Sequence, residues 1–481
     1  MGTSTGLLML LVLGVLTVTT GLPVWTLLIG VSSAFALAGL ASGVMDVNIL
    51  AAMPARVLGL LENDLLQALP LYVFVGMLLQ RLTVADALFS ALARLLNPLG
   101  AGQSLAALGV GTLVAPMNGS VASSAFLLTR LVTPRLKSME PGRAIALVSV
   151  AATIGVVIPP SLVLILLGDA MMRAHTEASN LPGFVMGQQH IINTQDVFHA
   201  ALLPGLAILL LWALVARWQS RQVTWVPEPV SRTTYAVAGA AGGTIVLLLA
   251  GVFTGKLLAV EAAATAGMLL VAAALLTRAL TWPVWQEVLE QTLVLTGALM
   301  AMLIGATIFS LVFRLWGSDR WLAEQFLNTG WQPMPRALAV LAMVMACAWV
   351  LDAFEMIFVV IPILAPPLIA ILGDAQQAAV VLLLVLQMSF LIPPMGYAVM
   401  MARIKASQKI SLSRLLSAMA PFVLVQLIVV GAVLAQPQMV HLLDKPVSIT
   451  PQTIDNEAEV EAQMRAMSEP QQDSGNGANK P

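Results

Sequence analysis

The stretch GVVIPPS at residues 155–161 interrupts one long apolar run, and SFLIPPMG at residues 389–396 interrupts another. Proline lacks a backbone N–H and its ring clashes with the preceding turn, so two in succession break a helix. In hydrocarbon the freed carbonyls and amides must be satisfied by protein, water, an ion or a bound molecule. Each Pro-Pro is preceded by a broken apolar stretch that ends in a proline-containing helix, LVTP at 131–134 and VVIP at 359–362. Pro159 and Pro393 lie 234 residues apart (393 minus 159), about half the chain. Paired interrupted helices in two halves of a chain point to a secondary transporter with its binding site between the repeats. Pro159, Pro160, Pro393 and Pro394 are the expected helix breaks.

Composition agrees. The chain has 481 residues, of which 59% are hydrophobic and 10% charged, and its mean hydropathy is +0.91. Soluble domains carry about 25% charged residues. A chain this apolar has lipid as the solvent for most of its surface. A net charge of −1 offers nucleic acid no electrostatic support. Cys347 is the single cysteine, which rules out an intrachain disulfide, and the four histidines have no zinc-ligand spacing. No Lys or Arg precedes the apolar N-terminus, so the reading is a retained first helix and not a cleaved signal.

The expected fold is an all-α polytopic membrane protein. Membrane helices are expected near 5–20, 23–43, 66–83, 143–172, 198–217, 234–254, 257–278, 292–315, 376–403 and 416–435. The stretches 104–136 and 336–372 are too long for one crossing and are broken in the middle, so they read as re-entrant hairpins. Residues 46–65 and 84–102 read as amphipathic arms. The organisation is therefore scaffold helices and arm (1–103), first hairpin and discontinuous helix (104–172), a polar insertion (173–197), scaffold helices (198–335), second hairpin and discontinuous helix (336–404), a last membrane helix (405–436) and a disordered tail (437–481). The basic loops around Arg135, Arg221 and Lys409 are placed inside. Both termini then fall outside, the hairpins open to opposite sides, and the repeats are inverted. Trp316, Trp321 and Trp331 are expected as interfacial anchors in an outer loop.

Candidate site residues follow from the breaks. Asn118, Gly119 and Ser120 fall at the tip of the first hairpin, with Ser123 just beyond. Glycine allows the chain to reverse, and its neighbours offer oxygen. Asp352 and Glu355, three apart, share a helix face inside an apolar stretch, where a carboxylate is a functional candidate. Asp352 also suits a helix N-cap. Glu261 reads as a structural hydrogen-bonding group. Met395 and Tyr397, beside the second break, could shape a substrate pocket.

At these residues the chain resembles the large membrane subunit of tripartite ATP-independent periplasmic (TRAP) transporters, over roughly residues 20–435. LPLYVFVG at 69–76 is similar to the family's L-P-L-F-x-x-x-G. EAAA at 261–264 is similar to its T-E-A-A-A, with Val260 replacing the threonine. GVVIPPS at 155–161 and Leu351-Asp352 followed by Pro362 complete the resemblance. Glu355 with QMSF at 387–390 resembles the mannitol/chloroaromatic-type branch. The tip at 117–124, MNGSVASS, departs from the family's Gly/Ser-rich pattern by Asn118.

The resemblance implies an elevator-type Na⁺ symporter in the bacterial inner membrane, with periplasmic termini, no enzymatic activity and no cofactor beyond the coupling ion. Sodium would sit in two oxygen cages, one from Asn118, Gly119, Ser120, Ser123, Gly155 and Ile158, the other from Asp352, Glu355, Gln387, Ser389 and Gly396. A small organic anion, such as a 2-oxo or hydroxy acid, would lie between them against Asn118, Ser120, Ser161, Met395 and Tyr397. The implied partners are a separate four-helix small membrane subunit and a periplasmic substrate-binding protein. The alternative is a stand-alone anion symporter or antiporter of the same fold superfamily.

Overall fold

The computed structural model describes residues 3–47, 51, 53–62, 64–118, 120–136, 138–181, 184, 192–221, 229–348, 351, 353–392, 396–404 and 411–444. Met1–Leu443 form one compact unit; of the second, Asp444–Pro481, only Asp444 is described. All regular structure among the described residues is helical. Seven helices are long and apolar enough to cross a membrane, and two bent pairs qualify jointly. The chain is a multi-pass membrane protein.

The first half holds α1 (Thr3–Thr20), α2 (Val24–Ala41), α3 (Met53–Leu61), α4 (Asp64–Arg81), α5 (Val84–Leu95), the hairpin α6 (Gly102–Val114) and α7 (Val121–Val132), the interrupted pair α8 (Pro141–Val157) and α9 (Leu162–Ala178), and α10 (Thr194–Gln219). The second half holds α11 (Arg232–Phe253), α12 (Ala259–Thr277), α13 (Trp282–Leu315), α14 (Ser318–Leu327), and the hairpin α15 (Pro333–Ala348) and α16 (Ile361–Leu372). It continues with α17 (Ala375–Ser389), α18 (Tyr397–Ile404), α19 (Leu412–Ala435) and α20 (Gln438–His441).

The halves match element by element. α14 begins 234 residues after α5 (318 minus 84), α17 begins 234 after α8 (375 minus 141), and α13 ends 234 after α4 (315 minus 81). Local chemistry repeats with them. Glu140 caps α8, accepting from Gly142 N and Arg143 N, and Asp374, 234 positions later (374 minus 140), caps α17 by accepting from Gln377 N at 2.9 Å. A carboxylate suits a helix N-terminus because it meets orphan amides and the positive end of the dipole. Packing is reciprocal too. α2 packs on α13 while α12 packs on α4; α9 packs on α16 while α18 packs on α7. Three equivalent pairs pack on each other: α4 with α13, α8 with α17, and α10 with α19.

The first break lies where two prolines were read. α8 and α9 bend by 45° across it. Ser161 donates to Val156 O (2.9 Å) and accepts from Leu164 N (3.2 Å). One hydroxyl thus serves the orphan carbonyl of one half-helix and the orphan amide of the next. In the second hairpin, Met356–Val360 form a π turn just before Pro362. Proline has no N–H for the α ladder, and the wider turn absorbs that loss.

Boundaries differ from the sequence reading in three places. The stretch 173–197 is helical at both ends, because α9 runs to Ala178 and α10 starts at Thr194 with an Asn193–Asp196 capping box. The loop 316–335 contains α14, and Trp316 is buried, not interfacial, while Trp331 is exposed. His199 falls within the expected span 198–217 and shares a 3.1 Å hydrogen bond with Phe253 O. The ordered chain continues past 437 through α20, where His441 meets Asp374 at 2.6 Å. A short-range composition signal places a loop but cannot see the distant partner that keeps a helix end folded.

Candidate functional site

Two sites form at the hairpin tips, one small and one large. The first hairpin turns through a 3₁₀ segment, Ala115–Asn118, pressed against the end of α8. A Cβ on Gly155 would lie 2.4 Å from Ala115 Cβ, so only glycine permits this approach. Beside it is a cavity of ≈ 10 Å³, whose lining includes Ser120, Ser124, Gly155, Val156 and Ser161. That is about the space of one water-sized sphere. It fits a water or a bare monatomic cation and excludes an organic molecule.

The large cleft, of ≈ 440 Å³, lies between the hairpins and the long helices. Ser120 and Ser123 from the first tip and Phe354 and Glu355 from the second face Trp25, Gln80 and Gln291 across it. Gln80 donates to Ser123 Oγ at 2.6 Å, and Arg130 donates to Gln80 O at 2.9 Å, which docks the first hairpin on α4. Glu355 is 8% exposed. Among the described lining residues there is no Arg or Lys. The helix α7 begins at this cleft, with Ser120 as its N-cap residue in extended backbone and Ala122 and Ser123 in the lining, so the positive end of its dipole lies at the cleft wall.

A second cleft, of ≈ 400 Å³, lies between α9, the π turn and the other half of α13. Its lining includes Arg56, Asp169, Arg173, Glu177, Ser310 and Arg314. Asp169 pairs with Arg173 at 2.8 Å, and Glu177 pairs with Arg314 from α9 to α13. The hairpin positions in this cleft, Ile357 and Phe358, lie 234 residues beyond Ser123 and Ser124 (357 minus 123, 358 minus 124).

The sequence-predicted residues divide as follows. Ser120 and Gly155 meet in the small cavity, and Ser120, Ser123 and Glu355 meet in the large cleft. Ser161 lies in the small cavity and does not line the large one, because its hydroxyl is held across the break. Ile158 is buried at the C-cap of α8, outside both. Ser389 donates to Leu386 O at 2.7 Å, and Gly396 O accepts from Met400 N at 2.9 Å, starting α18. Gln387 is buried against Thr153 and Gln426. Gly119, Asp352, Pro393, Pro394 and Met395 lie outside the described residues, and only the backbone is described for Asn118 and Tyr397. Glu261 accepts from Leu258 N at 2.9 Å, a helix-start bond. Sequence reasoning misses Gln80, Gln291 and Gln426, for which a lone amide in an apolar helix is the only signal.

The family model described as "Tripartite ATP-independent periplasmic transporter, DctM component" matches residues 8–439. The chain is 24% identical over 389 residues to the sialic acid TRAP transporter large permease protein SiaM of Vibrio cholerae, covering 79% of this chain and 84% of that one. It is 22% identical over 384 residues to the isethionate TRAP transporter permease protein DctMQ of Oleidesulfovibrio alaskensis, covering 77% of this chain and 57% of that one. In fold it is similar to the crystal structure of the Alcanivorax borkumensis YdaH transporter. There the TM-score is 0.59 at 13% identity, over 90% of this chain and 98% of that one.

Proposed function

The chain belongs to the DctM component family of tripartite ATP-independent periplasmic transporters, and on that premise we propose that it is the large permease subunit of a Na⁺-coupled importer of small organic anions. The observation that carries this reading is the convergence of both hairpin tips on one cleft of ≈ 440 Å³. A pocket of this size suits a small molecule. Sialic acid and isethionate, named for the relatives, are both organic anions.

The electrostatics support cation coupling. Among the described lining residues there is no Arg or Lys, so an anion bound in this cleft is favoured by a cation that shares it. The small cavity offers the hydroxyls of Ser120, Ser124 and Ser161 near backbone freed at the break, a donor set suited to Na⁺. At the other break Ser389 and Gly396 are the candidate ligands of a second cation, with Asp352 joining them on sequence grounds alone.

Inversion of the repeats is supported by parity. With the hairpins returning to their own side, α2, α4, α8–α9, α10 and α11 make an odd number of crossings before α12, so α12 runs opposite to its counterpart α2. The two clefts then open to opposite faces. An elevator follows: the hairpins, α8–α10 and α17–α19 slide against α1–α4 and α11–α13, exchanging one cleft for the other. The protein is placed in the bacterial inner membrane with periplasmic termini, beside a small membrane subunit and a substrate-binding protein.

Reconstitution tests this. Uptake into proteoliposomes is expected to require the small subunit, the loaded binding protein and an inward Na⁺ gradient together, because a solute is concentrated only when a downhill ion shares the conformational step. Accumulation of free substrate by this chain alone, or uptake driven by ATP, overturns the reading.

A further inference from the structure

Two side-chain amides lie fully buried where the halves of the molecule cross. Gln387, on α17, donates from Nε2 to the Thr153 carbonyl on α8 at 3.2 Å. Its Oε1 accepts from Gln426 Nε2 at 2.7 Å, and Gln426, on α19, also donates to Leu384 O at 3.0 Å. Both amides are 0% exposed. Thr153 and Gln387 are separated by 234 positions, the offset that relates the arm helices and the starts of α8 and α17. The bond therefore joins the same position in the two repeats. Equivalent positions of two units related by a two-fold meet only on the axis, so this amide marks the crossing point of the repeats.

Its neighbours along the chain are the two breaks. Thr153 lies on the turn whose members Ala152, Gly155 and Val156 line the small cavity, and Gln387 is two residues from Ser389, where the second break begins. We propose that Gln387 is a positioning residue and not an ion ligand: its amide holds the two breaks in register and couples cation occupancy at one to cation occupancy at the other. This rests on the Na⁺ reading above.

The cost of the arrangement favours a function. Burying two amides in an apolar interior is unfavourable unless each group is bonded. Gln426 Oε1 finds no partner among the described residues. Leucine at both positions would fill the same space and leave no side-chain amide to satisfy. A tie between two sites is the service that leucine cannot perform, since packing contacts slide where a directional bond resists.

Sodium alone is the probe. NaCl is exchanged for choline chloride at constant ionic strength on the full chain, co-purified with its small subunit in lipid nanodiscs, and read by thermal melting. The natural protein is expected to respond sigmoidally, with a Hill coefficient approaching about two, the number of coupled sites. Gln387→Leu is expected to bring that coefficient to about one and to weaken the midpoint by on the order of 5–150-fold, the usual range of coupling between sites. Gln387→Met, which keeps the length of the side chain but can neither donate to Thr153 O nor accept from Gln426 Nε2, is expected to behave as Gln387→Leu does. If Gln387→Leu does not fold, Gln426→Leu, which frees the anchor and leaves Gln387 in place, decides by the same shift. A lower melting temperature with an unchanged Hill coefficient overturns the proposal, as does complete loss of the sodium response, which would make Gln387 a ligand. Absence of any sodium response in the natural protein overturns the Na⁺ reading itself.

Discussion

Ser161 shows what one hydroxyl does at a break in a membrane helix. Val156 O and Leu164 N would both be orphaned in a dry interior, and the serine bonds each of them. Ser161→Ala is expected to destabilise the protein by about 1–3 kcal/mol, the cost of a lost N-cap and an unmet buried group. It is also expected to weaken sodium binding, whereas Ser161→Thr retains both; melting curves with and without Na⁺ check this. An alanine variant with an unchanged melt and midpoint would remove Ser161 from both roles. Glu355 supplies a second test at this scale. Glu355→Gln removes the buried charge that a cation would balance, so the Na⁺ concentration for half-maximal uptake is expected to rise while substrate affinity of the binding protein stays fixed. An unmoved sodium dependence argues for a structural Glu355. Ser161 and Glu355 were both readable from sequence as polar groups within apolar runs. Where the Ser161 hydroxyl points was not, because its acceptor lies across an irregular turn that periodicity does not describe.

At the scale of elements, the first hairpin depends on two glycine contacts. A Cβ at Gly111 would lie 2.1 Å from Ala151 O, and one at Gly155 would lie 2.4 Å from Ala115 Cβ and 2.6 Å from Ala115 C. Both would push the hairpin off α8, and backbone atoms cannot give way as a flexible side chain can. Gly155→Ala is expected to cost about 1–3 kcal/mol, the usual penalty of overpacking, and to abolish Na⁺-driven uptake by displacing the wall of the small cavity. Uptake at saturating sodium, compared with a melt confirming a folded protein, measures it. Full uptake would mean that the tip need not touch α8. The break at Gly155–Ser161 was legible because proline chemistry is local. That Gly111 faces Ala151 was not, since nothing in either segment names the other.

At the scale of the molecule, the proposed slide of one group of helices against the other would break contacts on the side that opens. The Glu177–Arg314 ion pair joins α9 to α13 across the second cleft. Both side chains are about one-third exposed, and pairs in such settings contribute little to stability. Its charge pattern is expected to matter for transport more than for folding. Arg314→Glu alone should slow uptake by placing two like charges on the sliding faces, and Glu177→Arg with Arg314→Glu should recover a substantial part of the rate. A double variant no faster than the slower single one excludes the pair from the transport cycle. The element order, the membrane solvent and the doubled breaks were all present in the linear chain, because hydropathy, proline chemistry and a 234-residue repeat are local or periodic signals. The merging of two distant tips into one cleft, the use of Gln80 to dock the first hairpin, and the Thr153–Gln387 bond at the crossing of the repeats arise from three-dimensional packing. These are pairings between residues tens to hundreds of positions apart, and such a pairing exists only once reciprocal helix packing has brought both partners to the same place.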